Sequence, residues 1–405
     1  MVFQQISGLN DTEQRYLRYI CLLPSNAYEE SFLQEVFQID ADTKPAFLDT
    51  LESLAAKGWL TQKRDERGYT YKLHALVQDV AVQELGISYR KCEPIVETFI
   101  KILEIDPNKH NPVLKFPFLV FGEHLVKLLN QELNDRISLL LDMVAWIYRE
   151  LGYYEKALSL RERALEIVLK LFDDEDDNVL KRQSNLAIVY QNLGRYSEAL
   201  KLLKKVLSVN IKKYGNKTSV VAISYANLAS VYTQLEEYKK AKNLIEKALE
   251  IDKKLFGERN IRVANRLNTL GVILRHMQQL INAEEVVKKA LEIALKCIDE
   301  FDPIISNIQS NLAAVYYDLG KYDRARDLLE KALASDIKNF RQNHPNIAKR
   351  LNNLAFIEMG LENWQEAKFL FERAYQIFHD WLGAEHPNTK TVAKSLAYVQ
   401  AQLGE

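Results

Sequence analysis

The stretch SNLAIVYQNLGRYSEALKLLKKVL, residues 184–207, has the pattern of two amphipathic helices joined by a short turn. Apolar residues recur at helical spacing on both sides of Gly194, and glycine is a residue type that commonly ends a helix. Ala199 is small and stands near the start of the second helix, where two helices must approach closely. The stretch therefore predicts a helical hairpin whose apolar face needs a neighbouring hairpin to cover it.

The same pattern returns every 42 residues through the rest of the chain. One register contains an alanine in every copy, and columns of leucine and of aromatic residues accompany it. The alanines are Ala157, Ala199, Ala241, Ala283, Ala325 and Ala367. A hairpin of this size cannot bury its apolar face alone, so consecutive copies are expected to stack into an α-solenoid. Six copies run from about residue 138 to residue 388, and a last helix near 389–403 would cap the open end.

Several segments of the repeat resemble the tetratricopeptide repeat, in particular the string NLAxVYxxLGxY of the first helix. The 42-residue length and the linkers NHPNIAKRLNNLA (343–355) and EHPNTKTVAKSLA (385–397) resemble the long repeats of kinesin light chains. This resemblance implies an all-α fold over residues 136–405, a right-handed superhelix of six repeats followed by a capping helix. The fourth repeat departs from the pattern, because HMQQLIN (276–282) lacks the glycine and the tyrosine. Its turn is expected to be tighter or displaced.

Residues 1–90 lie outside the 42-residue register and have the pattern of a small winged-helix domain. Three helices, a β-hairpin around DERG and a closing helix at 73–85 are predicted in that order. Residues 1–85 carry eight Lys and Arg against thirteen Asp and Glu, and this negative balance disfavours DNA binding. Residues 91–135 contain the proline-rich stretch DPNKHNPVLKFPF and predict an irregular helical connector.

The segments KGWL (57–60) and YKLHALVQDVAVQEL (71–85) resemble the winged helix of signal-transduction ATPases with numerous domains (STAND ATPases). That group includes NB-ARC proteins and bacterial NLR-like immune ATPases. The resemblance implies that the chain is the C-terminal sensor part of such an ATPase, and that His74 reaches toward the nucleotide held by the ATPase domain. The plainer interpretation of His74 is a satisfied histidine packed at the end of a strand. No GxxxxGKS or GxxxxGKT motif occurs, so the ATPase domain would precede Met1.

An amide column opens the first helix of most repeats, at Asn185, Asn227, Asn311 and Asn353, with Thr269 in the fourth repeat. The helical rotation of about 100° per residue puts this column on a different face from the hairpin core. A carboxamide offers two donors and two acceptors, so it can hold the backbone of an extended peptide. In kinesin-light-chain repeats, which this column resembles, the matching asparagines hold bound peptides. The alternative is that each amide braces the neighbouring first helix.

We therefore predict a peptide-binding groove on the concave wall of the solenoid, where the first helices lie. The predicted groove residues are Lys181, Asn185, Ile188, Asn192, Asn227, Ser230, Gln234, Asn265, Thr269, His276, Asn307, Asn311, Asp318, Lys349, Asn353 and Phe356.

The sequence gives little evidence for other functions. No stretch approaches the roughly 18 apolar residues of a membrane span, and three widely separated cysteines fit a reducing, cytoplasmic setting. The histidines form no HxH or HxxxH pair, so His344 and His386 are expected to anchor loops rather than bind a metal. The acidic run DDEDDN (173–178) lacks the spacing of an EF-hand, and no hydrolase motif occurs. We expect no cofactor, no metal and no enzymatic activity.

Three functional hypotheses remain. The first is a region that senses a protein or peptide ligand for a STAND-type ATPase, where an immune role rests on the resemblance alone. The second is a stand-alone tetratricopeptide adaptor without an ATPase. The third is a DNA-binding regulator with a repeat sensor, which predicts salt-dependent binding to duplex DNA.

Overall fold

The computed structural model describes residues 6–66, 68–104, 112–340 and 343–404 of the chain. The chain folds as two compact units. The first unit is built from Met1–Glu104, Leu114–Ile147 and Arg163–Phe172, and the second takes in Tyr148–Glu162 and Asp173–Glu405. Among the helices in these ranges, none is long and apolar enough to cross a membrane.

The first unit begins with four helices and a small antiparallel sheet. The helices are α1 (Asp11–Cys21), α2 (Glu30–Val36), α3 (Lys44–Ala56) and α4 (Ala75–Leu85), and the strands are β1 (Ala27–Glu29), β2 (Thr61–Asp65) and β3 (Gly68–Lys72). Strand β3 lies between the other two, and its Tyr71 faces Tyr28 of β1 and Gln62 of β2. The hairpin is where the sequence placed it. Strand β1 was missed, because three residues are too few to show a strand period.

A capping box begins α1, and its residue Glu13 also connects α1 to α3. The side chain of Asn10 accepts from the backbone N–H of Glu13 at 2.9 Å, and the carboxylate of Glu13 accepts from the backbone N–H of Asn10 at 2.8 Å. The same carboxylate accepts from Lys57 Nζ at 2.7 Å, just beyond the end of α3. Leu17 of α1 and Phe47 of α3 are fully buried.

The connector holds two helices of its own. They are α5 (Tyr89–Leu103) and α6 (Leu119–Leu129), with a 3-10 helix at Pro112–Phe118 before α6. The rings of Phe99 and Phe121 stack with centroids 5.2 Å apart, which packs α5 against α6.

The repeats form six consecutive helix pairs followed by one more helix. Their bounds are α7 (Asp135–Glu150) and α8 (Tyr154–Leu171), α9 (Asp177–Asn192) and α10 (Tyr196–Tyr214), α11 (Ser219–Gln234) and α12 (Tyr238–Phe256), α13 (Ile261–His276) and α14 (Leu280–Cys297), α15 (Pro303–Asp318) and α16 (Tyr322–Asn339), α17 (Pro345–Gly360) and α18 (Trp364–Leu382), and α19 (Pro387–Leu403). We number these pairs repeats 1 to 6. The six alanines of the column are completely buried, and one continuous apolar core runs from α11 to α19. The predicted α-solenoid is confirmed.

The turn of repeat 4 corrects one expectation. Helix α13 ends at His276 and α14 begins at Leu280, the same three-residue spacing as in repeats 2 and 3. Gln278 occupies the glycine position with φ of 59°, and the backbone of Gln279 donates to Leu274 O at 2.9 Å as in the other turns. The turn is therefore neither tighter nor displaced. The hydrogen bonds of the turn hold a left-handed conformation that glutamine disfavours by roughly 1 kcal/mol.

Candidate functional site

The first helices of repeats 2 to 4 line an open cavity of about 1090 Å³. Helices α9, α11 and α13 each contribute a stripe of side chains, and α10 contributes Asn210 and Tyr214 from its C-terminal half. Asn185 and Asn227 occupy the same register of successive repeats. The cavity is thus built by the repeat itself rather than by one irregular loop.

Five of the predicted groove residues line this cavity: Lys181, Asn185, Ile188, Asn227 and Asn265. The remaining predicted residues lie elsewhere on the first helices α9, α11, α13, α15 and α17. They are Asn192, Ser230, Gln234, Thr269, His276, Asn307, Asn311, Asp318, Lys349, Asn353 and Phe356. The structure thus brings together five of the ten predicted residues of repeats 2 to 4, those nearer the N-termini of α9, α11 and α13.

The carboxamides of Asn227 and Asn265 are half-buried on the cavity wall. Within the described ranges, neither carboxamide has a hydrogen bond to another residue. An amide in this situation depends on water or on a ligand for its hydrogen bonds. The donors and acceptors of these two carboxamides are therefore not used within the described protein.

Two amides of the same column are instead bonded to the preceding repeat. Asn311 Nδ2 donates to Asn268 Oδ1 at 3.0 Å, and Asn353 Nδ2 donates to Ser310 Oγ at 3.1 Å. Both bonds join a first helix to the first helix before it, which is the bracing arrangement. The column therefore has a structural use in repeats 5 and 6, while Asn227 remains unengaged.

Several other predicted groove residues are also engaged within the protein. The bonds are Gln191 Nε2 to Ser230 Oγ, Arg275 Nε to Asp318 Oδ2 and Arg350 Nη2 to Asn307 Oδ1, each of 2.6 Å. The ring of His276 stacks on Tyr238 with centroids 5.1 Å apart. A ligand would have to compete with each of these contacts, which is not the case at Asn227.

Two arginines in the cavity were missed by the sequence analysis. Arg262 Nη1 donates to Ser219 Oγ at 3.3 Å, and its guanidinium lies 4.9 Å from the ring centre of Phe256. Arg266 Nε donates to the buried carboxylate of Asp252 at 2.9 Å. Burial lowers the pKa of Arg266, and the charge of Asp252 opposes that effect.

The charge of the cavity wall is positive. Lys181 and Arg262 have no carboxylate partner among the described residues. The one acidic residue among the described lining residues, Asp177, accepts from Lys213 at 2.6 Å and from the hydroxyl of Tyr214. Arg262 lies seven residues before Thr269, on the same face as the amide column. Extending the predicted groove residues of each first helix by one turn toward its N-terminus would have included Arg262.

The histidines and the acidic run have structural roles. His344 and His386 cap the N-termini of α17 and α19 with their side chains, which confirms them as anchors. Asp176 caps α9 in the same way within the acidic run. The described residues contain no group of three or more His, Cys, Asp or Glu side chains that could hold a metal ion.

His74 lies at the N-terminal boundary of α4. Its side chain is exposed and makes no capping hydrogen bond. The interpretation as a packed, satisfied histidine is therefore wrong, and a contact between His74 and a nucleotide stays a prediction.

Residues 135–338 and 346–405 match the family model of the tetratricopeptide repeat, in five segments that mostly overlap. These residues are more than half of the chain, so the protein belongs to the tetratricopeptide-repeat family. A search of curated proteins found no match.

Solved structures of repeat proteins are among those to which the chain is similar. A Rap protein complexed with competence and sporulation factor is 14% identical, with a TM-score of 0.53 over 97% of this chain and 99% of that one. A STAND protein with a tetratricopeptide repeat sensor from Pyrococcus horikoshii is 18% identical, with a TM-score of 0.49 over 98% of this chain and 61% of that one. A putative kinesin light chain with TPR-like repeats from Podosopora anserina is 25% identical, with a TM-score of 0.41 over 50% of this chain and 95% of that one. The likeness to the Rap protein is one of fold.

Proposed function

We propose that the repeats bind an extended segment of a protein or peptide in the cavity of repeats 2 to 4. The observation that carries this proposal is the pair of unengaged carboxamides, Asn227 and Asn265, on the wall of one cavity. Ile188 and Ile223 supply apolar surface beside them, and Lys181 and Arg262 supply positive charge. Amides hold a backbone whatever its side chains are, so the remaining contacts set the choice of ligand.

We also propose that this binding serves as the sensor of a STAND-type ATPase in the cytoplasm, with residues 1–90 as a winged-helix domain. The order of helices and strands in residues 11–85 supports this proposal, as does the exposure of His74, which leaves that side chain open to a nucleotide. Release of the winged helix from the ATPase on ligand binding is the mechanism that the resemblance implies. A stand-alone adaptor is the alternative. An ATPase reading frame joined to this one at Met1 would distinguish the two.

The binding proposal is tested by separating the unengaged amides from the bracing ones. Linear peptides with a free amino end are selected from a random display library on the full chain. Asn227→Ala with Asn265→Ala is expected to weaken the selected peptide by about tenfold to a hundredfold, since each lost bond contributes roughly 1 kcal/mol. The melting temperature should change little, because neither carboxamide has a partner in the described protein.

The matched control is Asn311→Ala with Asn353→Ala. These substitutions remove hydrogen bonds between repeats, so they should lower the melting temperature by several degrees and affect peptide binding much less. The proposal fails if the first pair leaves the affinity unchanged, or if no peptide is selected at all.

A further inference from the structure

Two contacts with the same sequence separation close the repeat superhelix on itself. His344 Nε2 lies 2.6 Å from the carbonyl oxygen of Glu150, and His386 Nε2 lies 3.3 Å from that of Asn192. Each histidine stands 194 residues after its acceptor, and each acceptor is the last residue of a first helix, α7 or α9. Carbonyls at a helix C-terminus have no partner within their helix, so they are free to accept these bonds.

Each ring uses both of its nitrogens. His344 Nδ1 accepts from the backbone N–H of Asn346 at 3.1 Å, and His386 Nδ1 accepts from that of Asn388 at the same distance. An accepting Nδ1 carries no proton, so the neutral ring has its proton on Nε2 and donates it to the carbonyl. One side chain therefore caps the helix that follows it and bonds to a helix about four and a half repeats earlier.

Close packing surrounds the first of these contacts. The rings of Tyr153 and Trp381 lie 4.4 Å apart, and His344 stacks on Phe340 at 4.1 Å. A methyl group on Gly152 would stand 2.6 Å from Cγ of Pro345, so the two chain segments touch. We call the contacts of His344, Pro345, Trp381 and His386 with residues 150–153 and 192 the clasp.

Because of the clasp, this part of the solenoid has no opening along its side. The turns of repeats 1 and 2 meet the linkers that precede α17 and α19, so the wall is continuous around one turn of the superhelix.

We infer that the groove is a channel closed at its side, which admits an extended segment with a free end and excludes the same segment held in a loop of a folded domain. This inference rests on the proposed function, because it states which form of protein ligand the groove takes. A segment with a free end can pass along the channel as a single strand. A segment anchored at both ends needs room for two strands, or needs the clasp to open.

The test uses two random libraries of the same segment length, selected on the full chain. One library has a free amino end, and in the other the segment is joined at both ends to a folded scaffold. Binders are expected from the first library, and moving their sequences into the scaffold should weaken them by about tenfold or more. Equal recovery and equal affinity from both libraries would overturn this inference and leave the proposed function standing. No binder from either library would remove the proposed function, and this inference with it.

Opening the clasp supplies a second measurement. His344→Ala with His386→Ala should raise the radius of gyration in solution scattering and bring the scaffold-held segments to within about threefold of the free ones. His379→Ala, an exposed histidine outside the clasp, is the matched control and should change neither quantity. If the double variant does not fold, His386→Ala alone removes the more exposed contact. Variants that fold, keep the radius of gyration of the natural chain and keep its discrimination between the libraries would contradict a closed channel.

Discussion

At the scale of single residues, the fold keeps the imidazole of His344 neutral. It is 3% exposed, and a proton on Nδ1 would face the backbone N–H of Asn346. Burial, with a smaller contribution from the positive charge of Lys349, lowers the pKa of His344 to about 4, although the hydrogen bond to the Glu150 carbonyl acts in the opposite direction. The group that Glu150 presents to this ring is its backbone carbonyl, while its carboxylate pairs with Arg149. The folded protein therefore keeps the imidazole neutral at pH values where an unfolded chain would protonate it.

This difference predicts a loss of stability in mild acid. Between about pH 6.5 and pH 4 the unfolded chain binds a proton at His344 and the folded chain does not, so the free energy of unfolding falls as the pH falls. The full difference is about 3 kcal/mol, reached below the folded pKa. Urea unfolding of the natural chain and of His344→Ala, at about pH 7 and about pH 5, should show a smaller pH effect in the variant. An equal pH effect in both would contradict a neutral His344 in the folded protein.

At the scale of the elements, buried ion pairs join the second helix of one repeat to the first helix of the next. Asp252 pairs with Arg266 and Asp336 pairs with Arg350, both at 2.9 Å and in equivalent positions 84 residues apart. In the repeat between them, the same two positions are Ala294 and Ile308, both buried. This junction between consecutive repeats can thus be formed by an ion pair or by an apolar contact.

The repeat itself supplies the variant that tests this junction. Asp336→Ala leaves the guanidinium of Arg350 buried without its carboxylate, and we expect a loss of about 3–5 kcal/mol in the free energy of unfolding. Adding Arg350→Ile recreates the apolar pair found at 294 and 308, and should recover most of that loss. Urea unfolding of both variants measures the difference. A double variant as unstable as Asp336→Ala would show that the pair stabilises the junction in a way that apolar packing cannot replace.

The sequence predicted the elements well because local periodicity determines them. The alanine column and the pairing of helices follow from a 42-residue pattern, and the structure contains them. The ion pairs stand at the junctions 252/266 and 336/350 and are replaced by Ala294 and Ile308 between them, so a search for one residue type in every repeat passes over them. In the candidate site, the repeat pattern predicted part of the cavity wall. It could not show which amides are hydrogen-bonded to other residues, because Asn311 and Asn227 occupy equivalent positions of the repeat.

At the scale of the whole repeat array, the closing contact could not be predicted from the sequence. The 42-residue period states that each repeat stacks on the next, but the pitch of the superhelix accumulates from small rotations between them. A contact between residues 150 and 344 depends on the sum of those rotations. The linkers at 343–355 and 385–397 contain the histidines, and nothing near them in sequence indicates their partners.

Because the clasp closes the superhelix, substitutions in distant repeats should have coupled effects on the free energy of unfolding. An open solenoid couples nearest neighbours only, so substitutions in repeats 1 and 6 should add. Gly152 has φ of +83°, and a methyl group there meets Cγ of Pro345, while Gly320 has φ of +71° and a methyl group there meets nothing within 4 Å. Gly152→Ala should therefore cost more than Gly320→Ala, and Pro345→Ala should relieve part of the excess, giving a coupling of about 0.5–3 kcal/mol. Gly320→Ala and Pro345→Ala should simply add, and additivity in both double variants, measured by urea unfolding of the full chain, would mean that the superhelix is open in solution.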